Sequence, residues 1–157
     1  MKRIIIIATL LLSSMAAFAQ NGKSIYQKYS DAENVSAVYI SPAMFRLIGK
    51  IPDLKLEGED VNLAPLIQSL SGLYILDSEN SSINAKIKAD TESFIKGGEY
   101  ELLMEAKEHG ESVRMYTAGT EKIVNSFVML SIEGEDLSFI CIDGKMDRES
   151  LEKMLLQ

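Results

Sequence analysis

The sequence has one cysteine, one histidine, no tryptophan and three prolines in 157 residues, and it has fewer bases than acids. Each shortage excludes something. A single cysteine, Cys141, cannot close an internal disulfide, and a single histidine, His109, cannot build the multi-histidine sites that hold most catalytic zinc. Sixteen Lys and Arg against 23 Asp and Glu give a formal net charge of −7. That is the opposite of the basic stripe that grips a nucleic-acid backbone or an anionic membrane. Phosphate-cradling loops of the G-x-x-x-x-G-K-[ST] or G-x-G-x-x-G kind are absent, as are a G-x-S-x-G elbow and an H-E-x-x-H pair. A hydrolase built on two carboxylates needs no motif, so that class stays open. Few prolines and 46% apolar residues fit a packed core rather than a disordered chain.

What is present begins at the N-terminus. Lys2-Arg3 precedes an apolar run over residues 4–12, and Ala17-Phe18-Ala19 places small residues at the −3 and −1 positions of a cleavage site. This pattern predicts a signal peptide over 1–19 and a single α+β domain over 20–157. The apolar run is short of the roughly 20 residues that span a bilayer, so no membrane span is expected in the mature chain. A lipid anchor would need a cysteine directly after the cleavage site, and Cys141 lies far downstream. The expected product is a soluble periplasmic or secreted protein.

Periodicity then divides the chain. Residues 23–32 carry Ile25, Tyr29 and Ala32 at helical spacing, with Asn21 as a cap. Residues 35–40 read as a strand, and Ser41-Pro42 opens a helix that Gly49 can close in a left-handed conformation. Residues 50–61, with Pro52 and four acids, read as a surface loop. Asn62 caps a short helix, residues 73–76 form a second strand, and a longer helix follows from Ser82 with Ile83, Ile87, Thr91, Phe94 and Ile95 along one side. After Gly97-Gly98 the period changes to alternation through four strands, and Asp147 caps a last helix. The order α-β-α-α-β-α-β-β-β-β-α predicts an α+β fold: a βαβ unit with a right-handed crossover, then a four-stranded antiparallel meander with helices on one face.

Few residues invite chemistry. His109 sits between Glu108 and Gly110 at an expected hairpin tip, where solvent would surround it. Cys141 lies in the apolar stretch Phe139-Ile140-Cys141-Ile142, which suits a buried structural thiol better than a nucleophile. Asp53, Glu57, Glu59 and Asp60 suggest calcium, but Lys55 occupies a ligand position of an EF-hand loop and spoils it. The Glu133-Gly134-Glu135-Asp136 turn reads as a second solvated acidic loop. No catalytic residue, metal ligand or cofactor is assigned.

One pattern stands out. The meander strands carry apolar side chains on both faces, whereas an antiparallel sheet with one wet face should alternate more cleanly. Val128, Leu130 and Ile132 can face the helices, which leaves Phe127 and Met129 opposite. Leu103 and Tyr116 join them in a candidate interaction face, with Arg114 and Glu101 at its edge.

The C-terminal half also carries a recognisable series: Tyr100-Glu101-Leu102-Leu103-Met104, His109-Gly110-Glu111-Ser112-Val113, the apolar strand 127–132, and Phe139-Ile140-Cys141-Ile142-Asp143-Gly144, closed by Leu151 and Leu155. With the signal segment and residues 41–49 included, the chain resembles an exported Bacteroidota family catalogued as domain of unknown function 4252. The resemblance implies a Gram-negative envelope location and no assigned activity. Some members look like lipoproteins, and this chain departs from them in lacking the lipid-carrying cysteine. The reading that follows is a non-enzymatic binding or protein-interaction domain, with an envelope protein or a second copy as partner and no nucleic acid. The alternatives are a carboxylate-dependent periplasmic hydrolase and a carrier of a small apolar ligand.

Overall fold

The structure is a computed structural model that describes residues 21–50 and 64–155. The signal segment and the acidic loop with Asp53, Glu57, Glu59 and Asp60 lie outside the described residues. The elements are α1 (Gly22–Tyr29), β1 (Val35–Ile40), α2 (Pro42–Ile48), α3 (Ala64–Ser69), β2 (Leu70–Ser78), α4 (Ser81–Gly97), β3 (Tyr100–Glu108), β4 (Glu111–Gly119), β5 (Ile123–Glu133), β6 (Asp136–Asp147) and α5 (Arg148–Leu155). Among the described residues, no helix is long and apolar enough to cross a membrane.

Local chemistry sets the helix starts. The Asn21 side chain accepts from the Ser24 amide at 2.8 Å and the Ser24 hydroxyl accepts from the Asn21 amide at 2.8 Å, a reciprocal capping box. Ser41 caps α2 ahead of Pro42, Asn80 caps α4 through the amides of Ser82 and Ile83, and Asp147 accepts from the Ser150 amide at 2.9 Å. Gly49 ends α2 at φ −66, a right-handed rather than the expected left-handed close.

The fold is α+β. One six-stranded sheet has the order β1-β2-β6-β5-β4-β3, antiparallel at every pairing, and the four-stranded meander occupies β3 to β6. The expected crossover between the first two strands does not form there. β1 and β2 pair directly and antiparallel, Ile40 opposite Leu73. At about 1.5 Å per residue, α2 and α3 reach only about 10 Å each, a third of the roughly 30 Å of a nine-residue strand. The 17 residues of α4 reach about 25 Å, most of that length. Four antiparallel pairings separate β2 from β3, so these two strands run the same way, and α4 is the crossover that joins them.

The core lies between the sheet and the pair α1 and α4. Ile25 and Tyr29 from α1 and Ile87 and Phe94 from α4 pack on Leu76, Val128, Leu130, Leu137, Phe139 and Cys141. Thr91 is buried in α4 because its hydroxyl donates back to the Ile87 carbonyl at 2.7 Å. Lys28 of α1 meets Asp90 of α4 at 2.6 Å, and the Tyr29 hydroxyl donates to the same carboxylate at 2.6 Å.

Candidate functional site

Directly opposed residues of an antiparallel pair share a face. The register therefore sorts the sheet into rows that cross all six strands. On the helix face one row is Tyr39, Tyr74, Cys141, Val128, Tyr116 and Leu102. On the other face the central row is Val38, Ile75, Ile140, Met129, Met115 and Met104, apolar from edge to edge. A second row, Ile40, Leu73, Ile142 and Phe127, continues it before ending in Thr117 and Glu101. The central row ranges from half-buried in the middle to 47% exposed at Val38 and 44% at Met104, whereas Val128, one residue from Met129, is 0% exposed.

The face changes character at its two ends. Beside Phe127, Thr117 is buried at 2% exposure, while Glu101 beyond it is exposed. At the other end the row is Ser36, Asp77, Ser138 and Ser131, which with Glu79, Glu133 and Asp136 lines an open depression of about 410 Å³. The Ser138 hydroxyl donates to Asp77 at 2.5 Å. Four carboxylates surround this depression, and no lining residue is a cation.

The four residues expected on the interaction face are divided by the structure. Phe127 and Met129 lie on the face of the sheet away from the helices. Tyr116 does not: it opposes Val128 and packs against the helix-side core. Leu103 is half exposed and sits in a register shift, since Leu102 opposes Tyr116 and Met104 opposes Met115. Leu103 is thus the extra residue of a β-bulge. The bulge turns Met104 and Ala106 away from the side occupied by Leu102, so alternation across 100–107 breaks in the middle. Arg114 is likewise on the helix face. Its guanidinium donates to Glu105 at 2.6 Å and to Glu92 of α4 at 3.1 Å. The Glu105 hydrogen bond is the main reason its pKa is raised. Glu101 does stand at the rim of the open face, opposite Thr117.

The reactive side chains do not converge. His109 is 90% exposed at the tip of the β3–β4 hairpin, 3.4 Å from Glu108. With Gly110 it forms a two-residue turn in which both φ are positive, 48 and 93. That is the geometry of a type I′ hairpin, which glycine accepts without strain. Cys141 is fully buried under α1. It belongs to a short polar chain: the Tyr100 hydroxyl donates to Ser126 at 3.0 Å, Ser126 lies 3.8 Å from the Cys141 sulfur, and the thiol donates to Asp143 at 3.5 Å. Burial, followed by the charge of Asp143, pushes the Cys141 thiol well above its ordinary range. A thiol held protonated, with no imidazole among these hydrogen-bond partners, suits packing and not nucleophilic attack. Among the described residues no group of three or more His, Cys, Asp or Glu could hold a metal ion.

The alternation in β5 is legible in the sequence, but the membership of Val38, Ile75, Ile140, Met115 and Met104 in one row is not. Strand order and register decide which residues meet, and neither is written in a single strand. A family model described as Domain of unknown function (DUF4252) matches residues 29–154. No curated protein and no solved structure matches the chain.

Proposed function

The chain belongs to the family described as Domain of unknown function (DUF4252), and we propose that it is a non-enzymatic interaction domain acting outside the cytoplasm, with the open face of its sheet as the contact surface. The observation that carries this reading is the central apolar row from Val38 to Met104. Soluble monomers rarely leave a contiguous apolar patch larger than a few hundred Å² uncovered. The patch centres on Phe127 and Met129, away from the core beneath α1 and α4. The acidic depression at one end gives the surface a polarity that would orient a partner with basic residues there. Export to the periplasm or beyond is supported by the signal pattern over 1–19.

Two measurements test the reading. Intact mass of the protein from its native envelope should correspond to a chain starting at Gln20, and a retained Met1 would remove the export half. For the surface, Met129→Glu places a charge in the contact while its neighbour Val128 stays in the core. The variant should keep the wild-type melting temperature to within a few degrees and lose a partner that wild-type protein retains from envelope extract. A collapse of the melting temperature would mean that Met129 is core. An unchanged set of retained proteins would mean that the face binds nothing.

A further inference from the structure

Large apolar side chains that are exposed occur, among the described residues, in only two stretches: Val38, Tyr39, Met44 and Leu47, and Leu102 to Met104. The two stretches mark the two edges of the sheet, β1 and β3. A free edge is a template for another strand, and proteins blunt it with charges, prolines or bulges. β3 is blunted in this way. It carries the Leu103 bulge and the charges Glu101, Glu105, Lys107 and Glu108. β1 is not. Its sequence Val35-Ser36-Ala37-Val38-Tyr39-Ile40 has no charge and no proline, and its pairing with β2 is regular over all six residues.

We infer that β1 is a self-association edge: two copies pair β1 to β1 antiparallel about a two-fold axis at Val38 and join their sheets into one of twelve strands. Three observations choose a second copy as the occupant. First, with Val38 opposite its own counterpart, Tyr39 falls opposite Ala37 and Ile40 opposite Ser36, so the two bulkiest side chains each meet a small one on their own face. Second, the chain before β1 carries Asp31 and Glu33, and the helix after it carries Arg46, followed by Lys50, all exposed. Antiparallel pairing brings the acids of one copy towards the bases of the other, whereas parallel pairing would set like against like. Third, α2 begins two residues after β1 and leaves Met44 and Leu47 exposed, apolar surface beside this edge for a second copy to cover. The contact is isologous and closes at two copies, and a β1-to-β3 contact would instead propagate into fibres.

Association through β1 does not use Phe127 and Met129, so the Met129 variant tests the open-face reading apart from this inference. The purified protein should show twice its chain mass by light scattering, with dissociation on dilution. Val38→Lys puts two ammonium groups opposite each other at the axis and should weaken association at least ~10-fold, about 1.4 kcal/mol, with the fold intact because Val38 is 47% exposed. Met129→Glu should leave the mass unchanged. In a Cys141→Ala background, Val38→Cys should cross-link rapidly to a covalent dimer on mild oxidation, since opposed Cβ atoms of paired strands lie about 4.5–5.5 Å apart, while Met104→Cys on the other edge should not. Monomeric wild-type protein at every concentration, slow cross-linking at residue 38, or equal cross-linking at residue 104 would each overturn the proposal. Loss of the dimer in Met129→Glu would assign the contact to the open face instead.

Discussion

A β-carbon added to Gly22 would lie 2.5 Å from the Cys141 Cβ and closer still to its sulfur. The first turn of α1 therefore rests directly on β6, and only glycine permits that approach. Gly22→Ala should lower stability by about 1–3 kcal/mol, the usual range for overpacking a core. Cys141→Ala removes the sulfur but keeps the Cβ, so the double variant should recover less than half of that loss. Denaturant unfolding of the four proteins reads the cycle. Full rescue by Cys141→Ala would mean that the sulfur alone sets the spacing of α1.

The Leu103 bulge makes an unusual deletion testable. Removing one residue from a regular strand sends every later side chain to the wrong face. Here Leu102 faces the helices and Met104 faces away, with Leu103 extra between them. Deleting Leu103 makes the two adjacent and alternation regular, so every other residue of β3 keeps its face. The deletion variant should stay within about 1 kcal/mol of wild type, the range of a surface change. Deleting Thr117, which is buried in β4, should unfold the domain. The two melting curves decide this, and a large loss on removal of Leu103 would mean that the bulge is needed for folding.

That bulge also shows where sequence reading stops. The element order, the caps at Asn21, Ser41 and Asp147, the buried stripe of α4 and the inward set of β5 were all legible, because periodicity and capping act over a few residues. The crossover falls one connection later than the element order suggests, because strand pairing, which local periodicity does not carry, decides which strands a helix joins. Leu102-Leu103-Met104 is apolar at three consecutive positions, so no contrast along the chain marks the extra residue. Tyr116 was placed on the wrong side for a related reason. Its strand mixes apolar, polar and charged residues on both faces, and only pairing with Val128 fixes its direction. The open face itself depends on strand order, which local patterns do not carry.

Alkaline pH should expose the helix-side interior. Burial is the first cause that raises the hydroxyls of both Tyr74 and Tyr100, from 10.0 to about 12. Tyr100 lies against Phe94, their ring centroids 4.9 Å apart, and donates to Ser126. In each case the folded protein keeps a proton that the unfolded chain releases near pH 10. The contribution of these groups to stability is therefore complete below pH 10 and is lost as pH rises through about 12. Denaturant midpoints should hold steady to about pH 9.5 and then fall, while phenolate absorbance of the native protein shows a fraction titrating well above the ordinary tyrosine range. Tyr100→Phe should lower stability at pH 8, because Ser126 loses its donor, yet its alkaline decline should be shallower than that of wild type. Equal slopes in the two proteins would mean that Tyr100 ionises in the folded state as freely as in solvent, and that the contact with Phe94 does not shield it.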